Sequence, residues 1–384
     1  MTNDKSELFM MECLLLAKKG AGHVSPNPMV GAVVVKNGRV IGRGYHRRFG
    51  GAHAEVNAIR DAKSSVHNAT LYVNLEPCTI FGKTPPCTDF VIDAGISEVV
   101  VGMPDPNPLV HGKGISQLRR AGIRVRVGVL GTECEHLNEA FAKFITRGLP
   151  FVCLKVAQTL DGKIADGSGD SRWISNPSSR TLVHVLRSKV DAVLVGAGTI
   201  KKDNPRLTVR TIAGRNPVRV ILDGRCTVNP GSRIFGSGAK TIICVSSEFL
   251  KRNPGKRLSL ARKNVQILEF SGRKNGSLRL THVLQKLARL GIASVMVEGG
   301  SETFSGFLRE NMADKILFFI APKVLGGGLD AFVSQATDRR AKRRFALQRN
   351  KRPLFNGKIG EEIVLRKISV RYLDGDFLVD GYLH

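Results

Sequence analysis

Short apolar runs alternate with amphipathic segments along the first 150 residues, and this alternation predicts an α/β structure. Apolar positions at helical spacing predict a helix over residues 10–18, and a continuous apolar run predicts a strand over 29–35. Asn37-Gly38 is typical of a two-residue hairpin turn, so residues 39–45 are predicted to form the returning strand. The further elements predicted here are a helix at 53–62, a strand at 70–75, a helix at 88–94, strands at 99–102 and 123–129, and a helix at 134–144.

A second α/β pattern begins after residues 146–150, where Gly148 and Pro150 interrupt regular structure. The elements predicted beyond this point are strands at 151–157, 192–195, 218–222, 241–245 and 295–297, and helices at 178–188 and 281–290. Because 384 residues exceed the size of one typical hydrophobic core, we predict two domains, 1–147 and 151–384. Strands and helices alternate in both, so the predicted fold class is α/β throughout.

The net charge of +27 is distributed unevenly, with +5 in residues 1–150 and +22 in residues 151–384. A basic field attracts anions of every kind, so it fits phosphorylated metabolites, a phosphate-bearing cofactor or nucleic acid. The densest basic run, within residues 339–352, is interpreted as a solvated surface segment rather than as a nucleic-acid site.

Cysteine usage and hydropathy indicate a cytoplasmic protein. No stretch approaches the roughly 20 apolar residues of a membrane span, and the polar start of the chain does not resemble a secretory signal. Seven cysteines, an odd number scattered along a long chain, favour reduced thiols and metal ligation over a disulfide framework. We therefore expect no membrane association.

One group of residues in the first half has the composition of a zinc site for hydrolytic deamination. His53-Ala54-Glu55, Cys78 and Cys87 provide one histidine ligand, two thiolates and a carboxylate that does not bind the metal. Zinc with three protein ligands keeps a position for water and lowers its pKa, while the carboxylate moves the proton. Any one of these residues alone is more often a packed side chain. The eight residues between the two cysteines depart from the common two-residue spacing.

Two segments of the second half are candidates for binding a cofactor phosphate. Residues 196–199 are glycine-rich after a strand, but Lys201 stands where a dinucleotide fingerprint needs glycine, which argues against a Rossmann domain. Residues 295–303 combine an apolar strand, two glycines and a helix start, which would direct N–H groups at a phosphate. An ordinary strand-to-helix turn would give the same pattern. Trp173, the sole tryptophan, lies in a polar stretch that suits a cofactor-facing loop better than a core.

With these motifs, the chain resembles the bifunctional riboflavin biosynthesis proteins of bacteria. These proteins fuse a diaminohydroxyphosphoribosylaminopyrimidine deaminase to a 5-amino-6-(5-phosphoribosylamino)uracil reductase. In the first half the resemblance rests on residues 25–31, 44–46, 53–55, 75–78, 82–87 and 105–108, and in the second on 155–157, 159–163, 171–174, 203–210, 297–300 and 321–323. The eight-residue cysteine gap is the spacing of this family.

The resemblance implies a cytidine-deaminase-like domain followed by a dihydrofolate-reductase-like domain that uses NADPH. It implies that His53, Cys78 and Cys87 bind Zn²⁺ and that Glu55 is the proton donor. The substrate is then a phosphoribosyl-pyrimidine, whose ribosyl group the second domain reduces to ribityl. Relatives also suggest a homo-oligomer. One departure is Ile80, which replaces a histidine that this family usually places near the substrate.

The same resemblance implies the remaining contacts position by position. Pyrimidine or ribose phosphate contacts fall on Asn27, His46 and Lys83. NADP contacts fall on Ala157, Trp173, Thr199, Asp203, Gly300, Ser301, Glu302, Thr303 and Phe304. Substrate contacts of the reductase fall on Ser171, Arg187, Leu207, Arg210 and Glu298. We interpret Lys155, Arg187 and Arg210 as partners for an anionic phosphate.

Two alternatives follow from the same residues. Only one half of the chain is active, for example a reductase whose deaminase is weakened at Ile80. Alternatively, the basic charge and the zinc motif belong to an RNA-editing deaminase. The second half of the chain has no explanation in that case, and we therefore expect no nucleic-acid partner.

Overall fold

The computed structural model describes residues 3–82, 84–261, 265–272, 275–333 and 362–383. It separates into two compact units, Met1–Pro150 with Gly291–Ala293 and Phe151–Leu290 with Ser294–His384. Both units contain helices and strands, which confirms the predicted α/β class. None of the helices in these described ranges has both the length and the apolar character needed to cross a bilayer.

The first unit is built on a mixed sheet whose described strands run in the order β2-β1-β3-β4-β5. Strand β1 is antiparallel to both of its neighbours, whereas β3, β4 and β5 are parallel. The strands are β1 (Gly31–Lys36), β2 (Arg39–Tyr45), β3 (Thr70–Leu75), β4 (Glu98–Met103) and β5 (Arg124–Val127). The helices are α1 (Asn3–Lys18), α2 (Ala54–Asp61), α3 (Cys87–Asp93), α4 (Lys113–Arg120), α5 (Gly131–Leu137) and α6 (Glu139–Arg147).

The second unit contains a larger sheet, in which the described strands follow the order β11-β10-β9-β8-β12-β6-β13-β16-β15. All neighbours from β11 to β13 are parallel, and β16 and β15 complete the sheet as an antiparallel hairpin. The strands are β6 (Phe151–Thr159), β7 (Lys163–Ala165), β8 (Ala192–Gly196), β9 (Val218–Leu222), β10 (Thr241–Ser246), β11 (Gln266–Phe270), β12 (Ser294–Val297), β13 (Lys315–Ala321), β14 (Leu329–Asp330), β15 (Arg366–Leu373) and β16 (Asp376–Tyr382).

The helices of the second unit connect the parallel strands, as crossover connections require. They are α7 (Pro177–Lys189), α8 (Ala197–Asp203), α9 (Ser247–Lys251), α10 (Pro254–Ala261), α11 (Leu280–Arg289) and α12 (Ser301–Arg309), with a 3₁₀ turn at Arg233–Phe235. Strand β7 pairs with β14 outside the main sheet.

The predicted helix at 134–144 is wrong as a single element, because the chain breaks at Asn138 into α5 and α6. The buried Asn138 side chain accepts a hydrogen bond from Met29 N (2.8 Å) and donates one to Met29 O (3.1 Å). The backbone of Asn138 itself has φ −106° and ψ 17°, outside regular helical values, and apolar periodicity does not reveal such a local break.

Six strands of the second unit were not predicted from the sequence: β7, β11, β13, β14, β15 and β16. A usable signal was present for the last two, because Asp374-Gly375 is typical of a two-residue hairpin. Both residues have positive φ, 51° and 106°, as such a turn requires.

Close packing of β2 against α2 fixes the position at which α2 begins. A Cβ atom added to Gly44 would lie 2.2 Å from Ala58 N and 2.3 Å from Ala54 O. Gly42 faces the same helix, with an added Cβ 2.2 Å from Ala58 O. The helix therefore lies directly on the strand backbone, and its first turn is held at one height relative to the sheet.

Gly44→Ala is expected to force α2 away from β2 and to destabilise the first unit by about 3 kcal/mol. The added methyl group would meet backbone atoms of α2, which cannot move aside as a flexible side chain can. Amide exchange of peptides from β2 and α2, followed by mass spectrometry, measures the loss. Gly131→Ala is the matched control, because its added Cβ meets only Gly102 O at an ordinary 3.4 Å. Equal protection in the two variants would contradict the packing argument.

Candidate functional site

Three potential metal ligands meet in the first unit, where β3 ends and two helices begin. His53 is the N-cap of α2, Cys87 is the first residue of α3, and Cys78 follows β3. His53 Nδ1 lies 3.1 Å from Cys87 Sγ and 3.5 Å from Cys78 Sγ, and the three ligand atoms lie within 4.8 Å of one another. One nitrogen and two sulfurs at such distances fit the preferences of tetrahedral zinc with an open fourth position.

Protonation of the two thiols shows why this cluster suits a cation. A hydrogen bond with Cys87 lowers the pKa of Cys78 to about 4, and the same interaction raises the pKa of Cys87 well above its ordinary value. The opposite directions of these two shifts favour one thiolate beside one thiol over two neighbouring thiolates. The hydrogen bond with Cys78 also raises the pKa of His53. A dication replaces these protons and allows both sulfurs to be thiolates.

The other nitrogen of His53 faces a hydroxyl group that the sequence analysis did not identify. Thr84 Oγ1 lies 3.4 Å from His53 Nε2, so Nδ1 is left to face the sulfurs. A partner on the second nitrogen fixes the tautomer and the ring orientation of a metal-binding histidine. Threonine three residues before a cysteine gives no recognisable sequence signal for this role.

Glu55, the predicted proton donor, is buried in the first turn of α2. Its Oε2 is enclosed without a hydrogen-bond partner among the described residues. Burial raises the pKa of this carboxyl to about 7, against the opposing charge of His53. A buried carboxylate oxygen without a partner is costly, and it fits a site where water and a cation bind.

The predicted substrate residues His46 and Asn27 lie together beside the ligands. The ring centroids of His46 and His53 are 5.3 Å apart at 85°. His46 Nδ1 donates to Ala52 O (3.1 Å), so Nε2 accepts from Asn27 Nδ2 (3.3 Å). Burial lowers the pKa of His46, which keeps the ring neutral in this arrangement.

Two further residues of this unit were singled out from the sequence, Lys83 as a substrate contact and Ile80 as a departure from the family pattern. Lys83 lies outside the described residues. Ile80 is 42% exposed and occupies the loop after Cys78, so the substitution of the expected histidine leaves the three ligand atoms in place.

The second unit contains a buried ion pair between two predicted substrate residues, Arg187 and Glu298. Arg187 Nε and Nη2 donate to the two carboxylate oxygens at 2.6 and 2.8 Å, and Nη1 donates to Thr208 O. Burial favours the neutral carboxyl, but the guanidinium holds the pKa of Glu298 below its ordinary value. The fork of Arg187 is therefore already occupied, and it does not offer a phosphate the bidentate edge that we expected.

Two further basic residues, Lys155 and Arg210, interact electrostatically with this pair. Burial lowers the pKa of the Lys155 amine, while the charge of Glu298 raises it and that of Arg187 lowers it further. Arg210 Nη1 donates to Thr208 Oγ1 at 3.2 Å. The side chain of Leu207 is buried in the core, so only its backbone is available to a ligand. This backbone has a positive φ of 53°.

The predicted phosphate-binding turn has glycines that side chains could not replace. Gly299 and Gly300 have φ 157° and 68°, and Gly300 is the N-cap of α12 without a side-chain hydrogen bond. Added Cβ atoms on these glycines would lie 3.1 and 3.2 Å from Thr199 Oγ1. A Cβ on Gly196 would lie 2.5 Å from Thr303 Oγ1. The ends of β8 and β12 thus form a narrow cradle before a helix N-terminus, which fits a cofactor phosphate.

The burial of the other predicted contact residues in this unit indicates which of their groups a ligand could reach. Ser301 and Phe304 are buried, and Ser301 Oγ donates to Asp330 O, so these residues offer backbone rather than side chain. Glu302 is exposed, and Ala157 is half-buried opposite Phe319 on β13.

The Trp173 segment is held by a different set of partners. Trp173 is 65% exposed, with Arg180 Cζ 4.5 Å from its ring centroid, and Lys323 donates to its carbonyl at 2.8 Å. Ser171 accepts from Ile174 N within the same turn. Burial raises the pKa of Asp203, against the charge of Arg172.

Two family models match this chain. Residues 3–103 match the cytidine and deoxycytidylate deaminase zinc-binding region, and residues 150–351 match the RibD C-terminal domain. These matches confirm the two predicted domain types, in the predicted order.

Individual relatives match most of the chain. A riboflavin biosynthesis protein RibD from Aquifex aeolicus is 47% identical over 84% of this chain and 88% of its own length. One from Escherichia coli is 38% identical over 84% and 89%. A crystal structure from Thermotoga maritima, a diaminohydroxyphosphoribosylaminopyrimidine deaminase/5-amino-6-(5-phosphoribosylamino)uracil reductase, covers both chains fully with a TM-score of 0.83 and 41% identity.

Glu298→Gln is expected to lower the free energy of unfolding of the second unit by about 3 kcal/mol, because the buried Arg187 loses its counter-charge. Denaturant titration followed by Trp173 fluorescence reports on this unit. The double variant Arg187→Met, Glu298→Leu removes both charges and should regain much of the loss. If the single variant unfolds at the wild-type denaturant concentration, the ion pair does not organise this site.

Proposed function

The chain belongs to the family of bifunctional riboflavin biosynthesis proteins, and on this basis we propose which of its residues carry the two reactions. The protein is a zinc-dependent deaminase and an NADPH-dependent reductase of riboflavin biosynthesis. The observation that carries the residue assignment is the convergence of His53, Cys78 and Cys87 within 4.8 Å beside the buried Glu55. We assign the deaminase to residues 1–147 and the reductase to residues 151–384.

The first reaction is the hydrolysis of an amine on 2,5-diamino-6-(5-phosphoribosylamino)pyrimidin-4(3H)-one. His53 Nδ1 and the two thiolates would hold Zn²⁺, which would supply an acidified water when bound. Glu55 would accept a proton from this water through the oxygen that lacks a partner among the described residues, and it would then deliver the proton to the departing ammonia. Burial raises the pKa of Glu55 to about 7, which suits a group that must both accept and donate a proton.

His46 and Asn27 orient the pyrimidine in this proposal. The neutral His46 is fixed by Ala52 O, and Asn27 is fixed by His46, so both side chains are preorganised before substrate arrives. Lys83 is proposed as a phosphate contact because a lysine there matches the family pattern.

The second reaction reduces the ribosyl group of 5-amino-6-(5-phosphoribosylamino)uracil to ribityl at C1′. NADPH would supply the hydride to C1′ of the ring-opened sugar, with a proton from solvent completing the reduction, and the cradle formed by Gly196, Thr199 and Gly300 would hold its phosphates. Trp173, Asp203 and Ala157 are proposed as further cofactor contacts.

The substrate of this reaction would lie against the Arg187–Glu298 pair. Because the pair occupies the fork of Arg187, we assign phosphate binding to Arg210 and Lys155. Arg187 then holds Glu298 in place, and Glu298 is the residue that contacts the sugar. Ser171 and the backbone of Leu207 complete the proposed contacts.

We also propose that the chain forms a homo-oligomer through β15, which is at the edge of the large sheet among the described strands. Ile368, Val370 and Tyr372 alternate along the strand and therefore share one face, on which they are 58%, 62% and 69% exposed. An exposed apolar face on an edge strand invites pairing with another chain. A second copy of the same chain would cover it.

A cytoplasmic location is proposed from the chemistry of the two sites. Cys78 and Cys87 form no disulfide, and both must be reduced to bind zinc, which favours a reducing compartment.

Glu55→Gln is expected to abolish ammonia release while one zinc per chain remains bound. NADPH oxidation should continue at the wild-type rate when the deaminated intermediate is supplied, because the second reaction uses other residues. A coupled assay that follows ammonia and NADPH together, with zinc quantified, measures all three quantities. Loss of both activities would contradict two independent sites, and a wild-type protein without ammonia release would favour the alternative in which only the reductase is active.

Val370→Lys is expected to convert the oligomer to monomers, since a charge in an apolar interface is left without a partner. Light scattering after gel filtration measures the mass. Val364→Lys is the matched control, because Val364 is also exposed, at 65%, but lies outside β15. A monomeric wild-type protein, or an unchanged mass in Val370→Lys, would contradict the proposed interface.

A further inference from the structure

The carboxylate of Glu76 lies buried between two parts of the first unit that are distant in sequence. Glu76 follows β3 and stands two residues before the ligand Cys78. Its Oε1 accepts hydrogen bonds from Gly114 N (2.9 Å) and Ile115 N (3.1 Å). Its Oε2 accepts from Asp105 N and Gly112 N, both at 3.0 Å. One side chain therefore satisfies four backbone donors.

These donors belong to the N-terminus of α4 and to the loop that precedes it. The N-cap of α4 is Gly112, with φ 73° and no side-chain cap of its own. A serine or aspartate at the cap position would satisfy first-turn amides locally. Here a carboxylate from β3 does so across 38 residues of sequence, and its negative charge also suits the positive end of the helix.

Helix α4 contacts the segment that carries Cys78 directly. A Cβ atom added to Gly114 would lie 2.2 Å from the carbonyl oxygen of Pro77, so the helix backbone lies directly against this peptide. Any movement of the α4 N-terminus would therefore change the position of the residue next to the ligand.

One turn later, α4 also contacts the start of the helix that carries Cys87. The buried Thr88 lies with Oγ1 3.1 Å from Gln117 Oε1, and Thr88 N donates to Cys78 O at 3.2 Å. Gln117 Nε2 donates to Asp89 Oδ1 at 2.6 Å. The single helix α4 thus touches the segments of both cysteine ligands.

We propose that α4 braces the zinc site and that Glu76, which fixes α4 against β3, is a positioning residue of the deaminase. The inference rests on the proposed function, because it takes Cys78 and Cys87 as the metal ligands. Groups that orient metal ligands from outside typically change metal affinity by about 10- to 100-fold when they are removed.

Two variants of the full-length chain test this role independently. Glu76→Gln keeps the shape of the side chain but places an amide NH₂ against two backbone donors. Gly114→Ala adds a methyl group against Pro77 O, although alanine otherwise favours helix more than glycine does. Glu98→Gln is the matched control, because Glu98 is a carboxylate at the opposite end of the parallel strands, bound to Arg126 and Thr70.

Both test variants are expected to bind zinc about 10- to 100-fold more weakly in competition with a colorimetric chelator. They should also exchange the amides of residues 105–115 faster in the metal-free protein and lose deaminase kcat/KM, with reductase activity retained. Glu98→Gln should match the wild type in all of these measurements. If Glu76→Gln fails to fold, Gly114→Ala decides the question.

A purely structural role for Glu76 would give a different result. A lower melting temperature with wild-type zinc affinity, exchange and deaminase KM in both variants would overturn the proposal. A wild-type chain that binds no zinc would instead overturn the proposed function, and the exchange measurement would still test whether Glu76 holds α4 in place.

Discussion

Two sulfur atoms and an imidazole nitrogen lie within 4.8 Å of one another, and both sulfurs can be thiolates at this distance only with a cation between them. The first unit is organised around this constraint. His53 and Cys87 stand where helices begin, and Cys78 lies three residues after β3 in a segment whose backbone packs against α4. Gly44, which allows α2 to lie on β2, and Gly114, which allows α4 to lie on Pro77, place the backbones that the ligands need.

In the second unit the charges of the protein balance one another. Glu298, directly after the central strand β12, forms a buried ion pair with Arg187, and Lys155 and Arg210 add positive charge nearby. A net positive cluster with one fixed carboxylate suits a phosphorylated sugar better than either a fully paired or a fully cationic site would. The large positive charge of this half, read from composition alone, did not distinguish such a site from a nucleic-acid surface.

The sequence predicted the parts of the structure whose signals are local. The residues that cluster as potential zinc ligands, the glycine turn at Gly299 and most strands of the parallel sheets have local signals in residue type, spacing and apolar runs. The missing information concerns pairings between distant residues. Neither the four backbone donors of Glu76 nor the hydrogen bonds between Asn138 and Met29 can be recognised from the residues next to them in sequence. The occupied fork of Arg187 was missed for the same reason, because its partner lies 111 residues away.

The exposed Trp173 gives the molecule an optical property that follows from its composition. It is the sole tryptophan of the chain, and its indole ring lies under the guanidinium of Arg180 in the second unit. Emission excited at the red edge of protein absorption therefore originates in one half of the molecule only. The chain carries its own site-specific fluorophore, and the second half can be observed selectively without a label.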